Sequence, residues 1–310
     1  MEDPNTLCEQ AVACFNTDPE KAFVLFSKAA EAGHPNGLFG MAEMKMVGLG
    51  TAQDTDGAEL MYKMAAESGH APAMYRLGVI YSGQTSLPEN PELCKMWFEK
   101  AAEAGLVEAY AEIGGIYMYG YGTQPDQGKS FHWYSKAAEA GDPVSMFKVA
   151  YMMDEGVGTE KDFDGAVAMF RSSAMMGLPE SQFKMAVLTQ DGRIPGGAKM
   201  ARHWYQMAAD QGMVQAKFNL ATLLYEGVGE DNDPVRAFQL YNEVAETGDG
   251  DALMMVGRMY FEGVGVEKDQ VKGFEFFGRA AAAGNELAME FVQNIRRRQN
   301  TQIVKIDGLE

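Results

Sequence analysis

The chain has 310 residues, 46% of them apolar, with 44 acidic against 26 basic side chains and a net charge of -18. An ordinary apolar share describes a soluble globular protein, and the acidic excess argues against nucleic acid and anionic membrane surfaces as partners. Three cysteines, Cys8, Cys14 and Cys94, without a CxxC spacing, indicate neither a disulfide framework nor a zinc cluster and fit a reducing compartment.

The first residues, MEDPNTLCEQAV, are acidic and lack a basic segment followed by an apolar one. No apolar run along the chain approaches the roughly 18 residues a membrane span needs, so the expected location is the cytoplasm. Residues 1–18 are predicted to hold a lone capping helix over Pro4 to Phe15. From residue 19 the chain repeats itself. Segments ending in KAAEAG or its variants align on Gly33, Gly69, Gly105, Gly141, Gly177, Gly212, Gly248 and Gly284, spaced 36 residues apart with one step of 35.

Three residues before each of these glycines lies an alanine, and seven before lies an aromatic: Phe26, Tyr62, Phe98, Tyr134, Phe170, Tyr205, Tyr241 and Phe277. Eleven before is always small, from Ala22 to Gly273. These offsets trace one face of a helix, bulky in the middle and small where a neighbour approaches, and the glycine is its C-cap. Fifteen before stand Asp18, Asp54, Asn90, Asp126, Asp162, Gly197, Asp233 and Asp269, the place of an N-cap, with proline directly after at 19, 91 and 234. The first half of each unit is predicted helical too, as in LVEAYAEIGGIYMYG at 106–120. A small residue nine after the glycine (Gly78, Gly114, Ala150, Gly257) lets two helices pack closely.

Such a chain is expected to be all-α: a right-handed superhelical α/α solenoid of about eight helix-pair repeats of 36 residues over 19–284, each repeat touching mainly its neighbours. Residues 285–295 should add a C-terminal capping helix, and 296–310 a polar, loosely docked tail. The LGVIY of 77–81, the WFEKAAEAG and WYSKAAEAG of 97–105 and 133–141, and the YEGVG of 225–229 resemble the Sel1-like repeat, a relative of the tetratricopeptide repeat. That resemblance implies the superhelical fold and a role in scaffolding, adapting or signalling. Two repeats depart from the pattern: the loop after Ile80 has the single glycine Gly83, and DGRIPGGAK at 191–199 is one residue short and lacks its capping Asp, so a local change of pitch is expected at both.

Several motifs invite chemistry. The loop DEGVGTEKD, 154–162, looks like a phosphate or cation cradle, but no strand precedes it, a third glycine is missing, and its echoes YEGVGEDND and FEGVGVEKD mark it as a turn. Two SxxK matches, Ser145 to Lys148 and Ser181 to Lys184, bear on the β-lactam-directed activity that the resemblance to some secreted relatives implies as an alternative. Both serines occupy a position that is alanine elsewhere (Ala73, Ala109, Ala216, Ala252), and no SDN or KTG completes a hydrolase set, so no catalytic residue is assigned. His34, His70, His132 and His203 have no partner at ligand spacing, so no metal and no cofactor are expected. The 23 methionines read as core filler, Met41, Met61, Met169 and Met185 among them.

A binding face remains. On the first helix of each repeat, positions 3, 7, 10 and 14 after the glycine form a polar stripe predicted to line the concave side; it carries Arg76, Tyr119, Lys148, Tyr151, Lys184, Asn219 and Arg258, with Glu108 and Glu112 among its acidic members. Beside it, at position 6, run Phe39, Tyr75, Phe147, Phe183 and Phe218, which either pack between repeats or face the groove. Four cations on this stripe of an acidic protein would favour a protein or peptide with acidic side chains or a C-terminal carboxylate, with the tyrosines as amphipathic contacts. The leading expectation is a monomeric, non-catalytic interaction scaffold; a self-assembling structural role is a further alternative, since exposed end repeats can stack.

Overall fold

The computed structural model describes residues 2–85, 87–228 and 232–294, and every regular element among them is helical. The helices gather in two compact units, residues 1–169 and 170–310, with the boundary inside α10 (Phe163–Met175). The first unit holds α1 (Pro4–Cys14), α2 (Pro19–Glu31), α3 (Pro35–Val47), α4 (Thr55–Glu67), α5 (Ala71–Val79), α6 (Pro91–Glu103), α7 (Glu108–Tyr119), α8 (Gln127–Glu139) and α9 (Pro143–Glu155). In the second are α11 (Pro179–Gln190), α12 (Gly197–Asp210), α13 (Val214–Glu226), α14 (Pro234–Ala245), α15 (Gly250–Glu262) and α16 (Gln270–Ala282). Within each unit, helices next to one another in sequence pack together, which makes each an α/α solenoid of stacked helix pairs. Residues 286–294 form the final helix; Ile295 and the predicted tail lie outside the described residues.

Capping follows the sequence pattern closely. The side chains of Asp18, Asp54, Asn90, Asp126, Asp162, Asp233 and Asp269 each accept the backbone N–H three residues on, satisfying one of the open donors of a second helix. In the shortened repeat α12 starts instead from Gly196 with no side-chain cap. After Val79 the other irregular repeat continues into a π-helical turn, Ile80–Gln84, closed by Gly83 at φ 80°. All eight repeat-ending glycines are left-handed, between 72° and 97° in φ.

In DEGVGTEKD the first glycine, Gly156, closes α9 in the left-handed region, and Asp162 caps α10. Gly158 does more than turn. A Cβ on it would come within 2.1 Å of the Gln127 carbonyl oxygen, at the start of the second helix one repeat earlier. Gly50 meets the Pro19 carbonyl, Gly122 that of Pro91 and Gly265 that of Pro234 in the same way. In these four loops the second glycine is thus a contact between repeats.

Alanine at 158 must therefore adopt a left-handed backbone and displace a neighbouring main chain. Gly158→Ala is expected to lower the unfolding free energy by about 2 kcal/mol or more. Gly141→Ala, left-handed as well but with nothing within 4 Å of the added carbon, should cost only about 1 kcal/mol. Denaturant melts of the two variants check the difference, and equal losses would mean that the loop is not docked.

Candidate functional site

The face carrying the predicted residues is built around the aromatic seven before each repeat-ending glycine. Tyr62, Tyr134, Tyr205, Tyr241, Phe98 and Phe170 are buried on the second helices. The position-6 aromatics lean edge-on against them: Phe39 on Tyr62 at 5.8 Å between ring centres, Tyr75 on Phe98 at 5.2 Å, Phe183 on Tyr205 at 5.6 Å and Phe218 on Tyr241 at 5.3 Å. Phe39, Tyr75, Phe147, Phe183 and Phe218 are all half-buried, one side packed and one open, so core and groove readings each describe one side of the same ring.

The position-7 residues reach back over the aromatic of the preceding second helix. Lys148 sits 4.4 Å from the centre of the Tyr134 ring and donates to its hydroxyl at 3.1 Å. Lys184 lies 5.5 Å from the Phe170 ring centre, and Asn219 donates to the Tyr205 hydroxyl at 3.1 Å. Arg76 behaves differently. Its guanidinium is held at 2.7 Å by Glu43, one repeat earlier, and the same carboxylate accepts from Tyr62 at 2.7 Å. Arg258 turns along its own helix to Glu262 at 3.0 Å. Arg76 and Arg258 thus arrive with carboxylates already attached.

Tyr75, Tyr119 and Lys148 come together in the first unit around a cavity of about 410 Å³, with Tyr121, Tyr134, Phe98, Cys94 and Glu112 also on its wall. Tyr119 is 81% exposed and Tyr151 50%. Burial pushes the Tyr134 hydroxyl up to about 12, so it stays protonated at neutral pH, and burial does the same to the Cys94 thiol. With Lys148 donating to the Tyr134 oxygen, the hydroxyl proton is left for a further acceptor. In the second unit, Phe183, Phe218 and Asn219 share a smaller cavity of about 270 Å³ with Asp249 and Asp251. Tyr121 and Tyr134 belong to the first cavity although they lie off the predicted stripe; the constant aromatic offset was the signal for Tyr134.

A larger cavity, about 640 Å³, lies between α1, α3 and the start of α5, walled by Val12, Phe15, Phe26 and Phe39 with Asn5, Glu9, Asn36 and Glu43 on it. Sequence reasoning assigned α1 only a capping role and missed this site; the Pro-Asn pair at 4–5, repeated at 35–36, was the available signal. His70 belongs to the same wall and caps α5, its Nδ1 accepting the Ala73 N–H at 3.2 Å, while burial holds its imidazole below the ordinary value. Among the described residues no cluster of His, Cys, Asp and Glu has the geometry to hold a metal ion.

The two SxxK serines are fully buried. Ser181 donates to Ser173 at 2.7 Å, and the Ser145 hydroxyl has no hydrogen-bond partner among the described residues. Neither presents a nucleophile to solvent. Both fill the small packing site that alanine fills in other repeats.

Stacked helix pairs, a constant aromatic on every second helix and a variable polar row on every first one define a helix-pair repeat protein. Eight consecutive matches to the Sel1 repeat, at residues 15–34, 35–70, 71–106, 107–142, 143–178, 179–213, 214–249 and 250–285, show that the chain belongs to the Sel1 repeat family. No curated protein matches the sequence. Among solved structures, a Sel1 repeat protein from Oxalobacter formigenes is similar at 24% identity and a TM-score of 0.73, over 94% of this chain and 86% of that one. The protective antigen c5321 of uropathogenic Escherichia coli, described as displaying an SLR fold, is also 24% identical, with a TM-score of 0.62 over 96% of this chain and 73% of that one. At this identity the likeness is one of fold.

A buried hydroxyl without a partner costs about 1–3 kcal/mol. Ser145→Ala is therefore expected to raise the unfolding free energy by about 1 kcal/mol, whereas Ser181→Ala, which breaks a hydrogen bond, lowers it. Thermal melts of the two variants check the opposite signs, and a loss of stability in Ser145→Ala would point to a role for that hydroxyl beyond packing.

Proposed function

We propose that this chain is a non-catalytic interaction scaffold whose first unit holds a segment of a partner protein along the face of Tyr75, Tyr119 and Lys148. One observation carries the reading: Lys148 makes no ion pair among the described residues, although the chain has 44 acidic side chains. Its ammonium is packed on the Tyr134 ring, half-buried, with one proton given to that hydroxyl and two left to donate. A cation held in this way favours an acidic side chain or a terminal carboxylate, which would take charge-assisted hydrogen bonds from both Lys148 and Tyr134. Tyr119, exposed at the rim, supplies apolar area at small entropic cost, as tyrosines do in binding surfaces. Lys184 and Asn219 offer the equivalent positions in the second unit, and there the reading is weaker because Asp249 and Asp251 line the adjoining cavity.

The reading includes a cytoplasmic location and a monomeric chain. Cys8, Cys14 and Cys94 are unpaired thiols, and Cys8 and Cys94 are buried with raised pKa, the state of structural cysteines in a reducing compartment. No observation favours the β-lactam-directed hydrolase, whose two candidate serines are inaccessible.

Charge reversal tests the site. Lys148→Glu is expected to weaken a partner retained by the immobilised protein about tenfold or more and to leave the melting temperature within a few degrees, while a synthetic peptide ending in consecutive glutamates competes with that partner. Retention that survives Lys148→Glu, or that the acidic peptide does not compete, would remove the site from this face.

A further inference from the structure

The α1–α3 cavity carries a second binding chemistry that the Lys148 face lacks. His70 accepts the Ala73 N–H on Nδ1, so its ring proton is on Nε2, which donates to Asn36 Oδ1 at 2.9 Å. One repeat earlier the arrangement recurs. The Cys8 thiol, kept protonated by burial, faces His34 Nδ1 at 3.7 Å, and His34 Nε2 donates to Asn5 Oδ1 at 3.1 Å. Each histidine thus fixes which way its asparagine amide points. Both carbonyl oxygens are occupied, and both NH₂ groups, on exposed residues that line the cavity, have no acceptor among the described residues.

Two oriented amide donors from equivalent positions of neighbouring first helices, Asn5 and Asn36, stand over an apolar floor of Phe15, Phe26 and Phe39. Room for that floor comes from Gly40, which occupies the position held by Arg76 or Lys148 in later repeats; a Cβ there would come within 2.5 Å of the Phe26 ring. The charge of the cavity is acidic. Glu43 is already paired with Arg76, whereas Glu9 is exposed and makes no ion pair among the described residues. No basic residue lies on α1, PNTLCEQAVAC.

We propose that the α1–α3 cavity is a docking subsite for an extended segment of a partner protein: Asn5 and Asn36 donate to its backbone carbonyls, one of its apolar side chains enters the cavity, and a basic side chain beside it meets Glu9. Amide donors fit main-chain carbonyls of any sequence, so selectivity comes from the apolar anchor and the neighbouring cation. This subsite is independent of the Lys148 face and stands whether or not that face binds an acidic segment.

Fluorescence polarisation of the full chain with three labelled ten-residue synthetic peptides tests it: a leucine flanked by lysines, the same leucine flanked by glutamates, and a glycine flanked by lysines. Only the first is expected to bind at this cavity, and any binding of the glutamate-flanked peptide is expected to be lost in Lys148→Glu. Asn5→Ala and Asn36→Ala should each weaken it about fivefold, the effect of losing one neutral hydrogen bond, and Glu9→Lys should weaken it about tenfold. Lys148→Glu should leave binding of the lysine-flanked peptide unchanged. Binding of the glutamate-flanked peptide to the Lys148→Glu chain as tightly as the lysine-flanked one, binding of the lysine-flanked peptide indifferent to both asparagines, or no binding of the lysine-flanked peptide overturns the subsite. So does a concentration-dependent dimer that Glu9→Lys dissolves, since a second copy would then occupy the cavity.

Discussion

The aromatic ring seven residues before each repeat-ending glycine is the contact on which the rest of this architecture depends. In three repeats a glycine nine after the previous mark lies beneath it: a Cβ on Gly78, Gly114 or Gly257 would come within 2.8 Å of the ring of Phe98, Tyr134 or Phe277. The ring therefore sets how closely the two helices of a pair approach, and dispersion over so short a separation rewards a shape match that a larger residue would destroy. Alanines three and four before the glycine, such as Ala101 and Ala102 or Ala137 and Ala138, are buried for a related reason, since they leave room for the next first helix. Once the pair distance is set this way, the loop glycines have a fixed place to dock, as Gly158 does on Gln127.

The same ring organises the polar surface. One edge receives the position-6 aromatic, and where the ring is a tyrosine its hydroxyl emerges at the boundary between core and solvent. Burial keeps that hydroxyl protonated, so it always brings a donor and an acceptor to the face. Lys148 uses the acceptor of Tyr134, Asn219 that of Tyr205, and Thr222 pairs with Tyr241. The consequence is that Lys148, Asn219 and Thr222 are anchored to the core through a tyrosine hydroxyl instead of lying loosely on it. Side chains so held lose less entropy on binding than free lysines or asparagines would.

Much of this was legible in one dimension. The period, the capping Asp or Asn, the left-handed glycines and the apolar face of each second helix are local consequences of backbone geometry, and residues such as Asp126 and Gly141 declare them without reference to distant contacts. What stayed hidden is pairing across repeats. Arg76 reads as an available cation until Glu43, thirty-three residues earlier, is placed against it. Gly158 reads as a turn residue until the Gln127 carbonyl is found beneath its missing side chain. Asn36 reads as a helix-start residue until His70 fixes its amide. Each of these depends on which neighbours the stacking delivers, and a repeat pattern states the stacking but not the chemistry of the non-repeating positions.

Those non-repeating positions carry the individuality of the chain. At position 7 after the glycine the residue runs Gly40, Arg76, Glu112, Lys148, Lys184, Asn219 and Met255, while the rings it borders scarcely change. A constant ring with a variable neighbour lets charge vary along the row, from Glu112 to Lys148, and at Gly40, where a Cβ would meet the Phe26 ring, the neighbour is missing instead. Gly40 leaves room for the α1–α3 cavity, Arg76 pairs with Glu43 on its wall, and Lys148 places over Tyr134 a charge that has no ion pair among the described residues. Within one unit the fold thereby separates an acidic, apolar pocket from a tyrosine-lined one that carries Lys148 and Glu112. Stability resides in the rings and glycines that repeat, and the differences in charge and shape between repeats reside in the single row that does not.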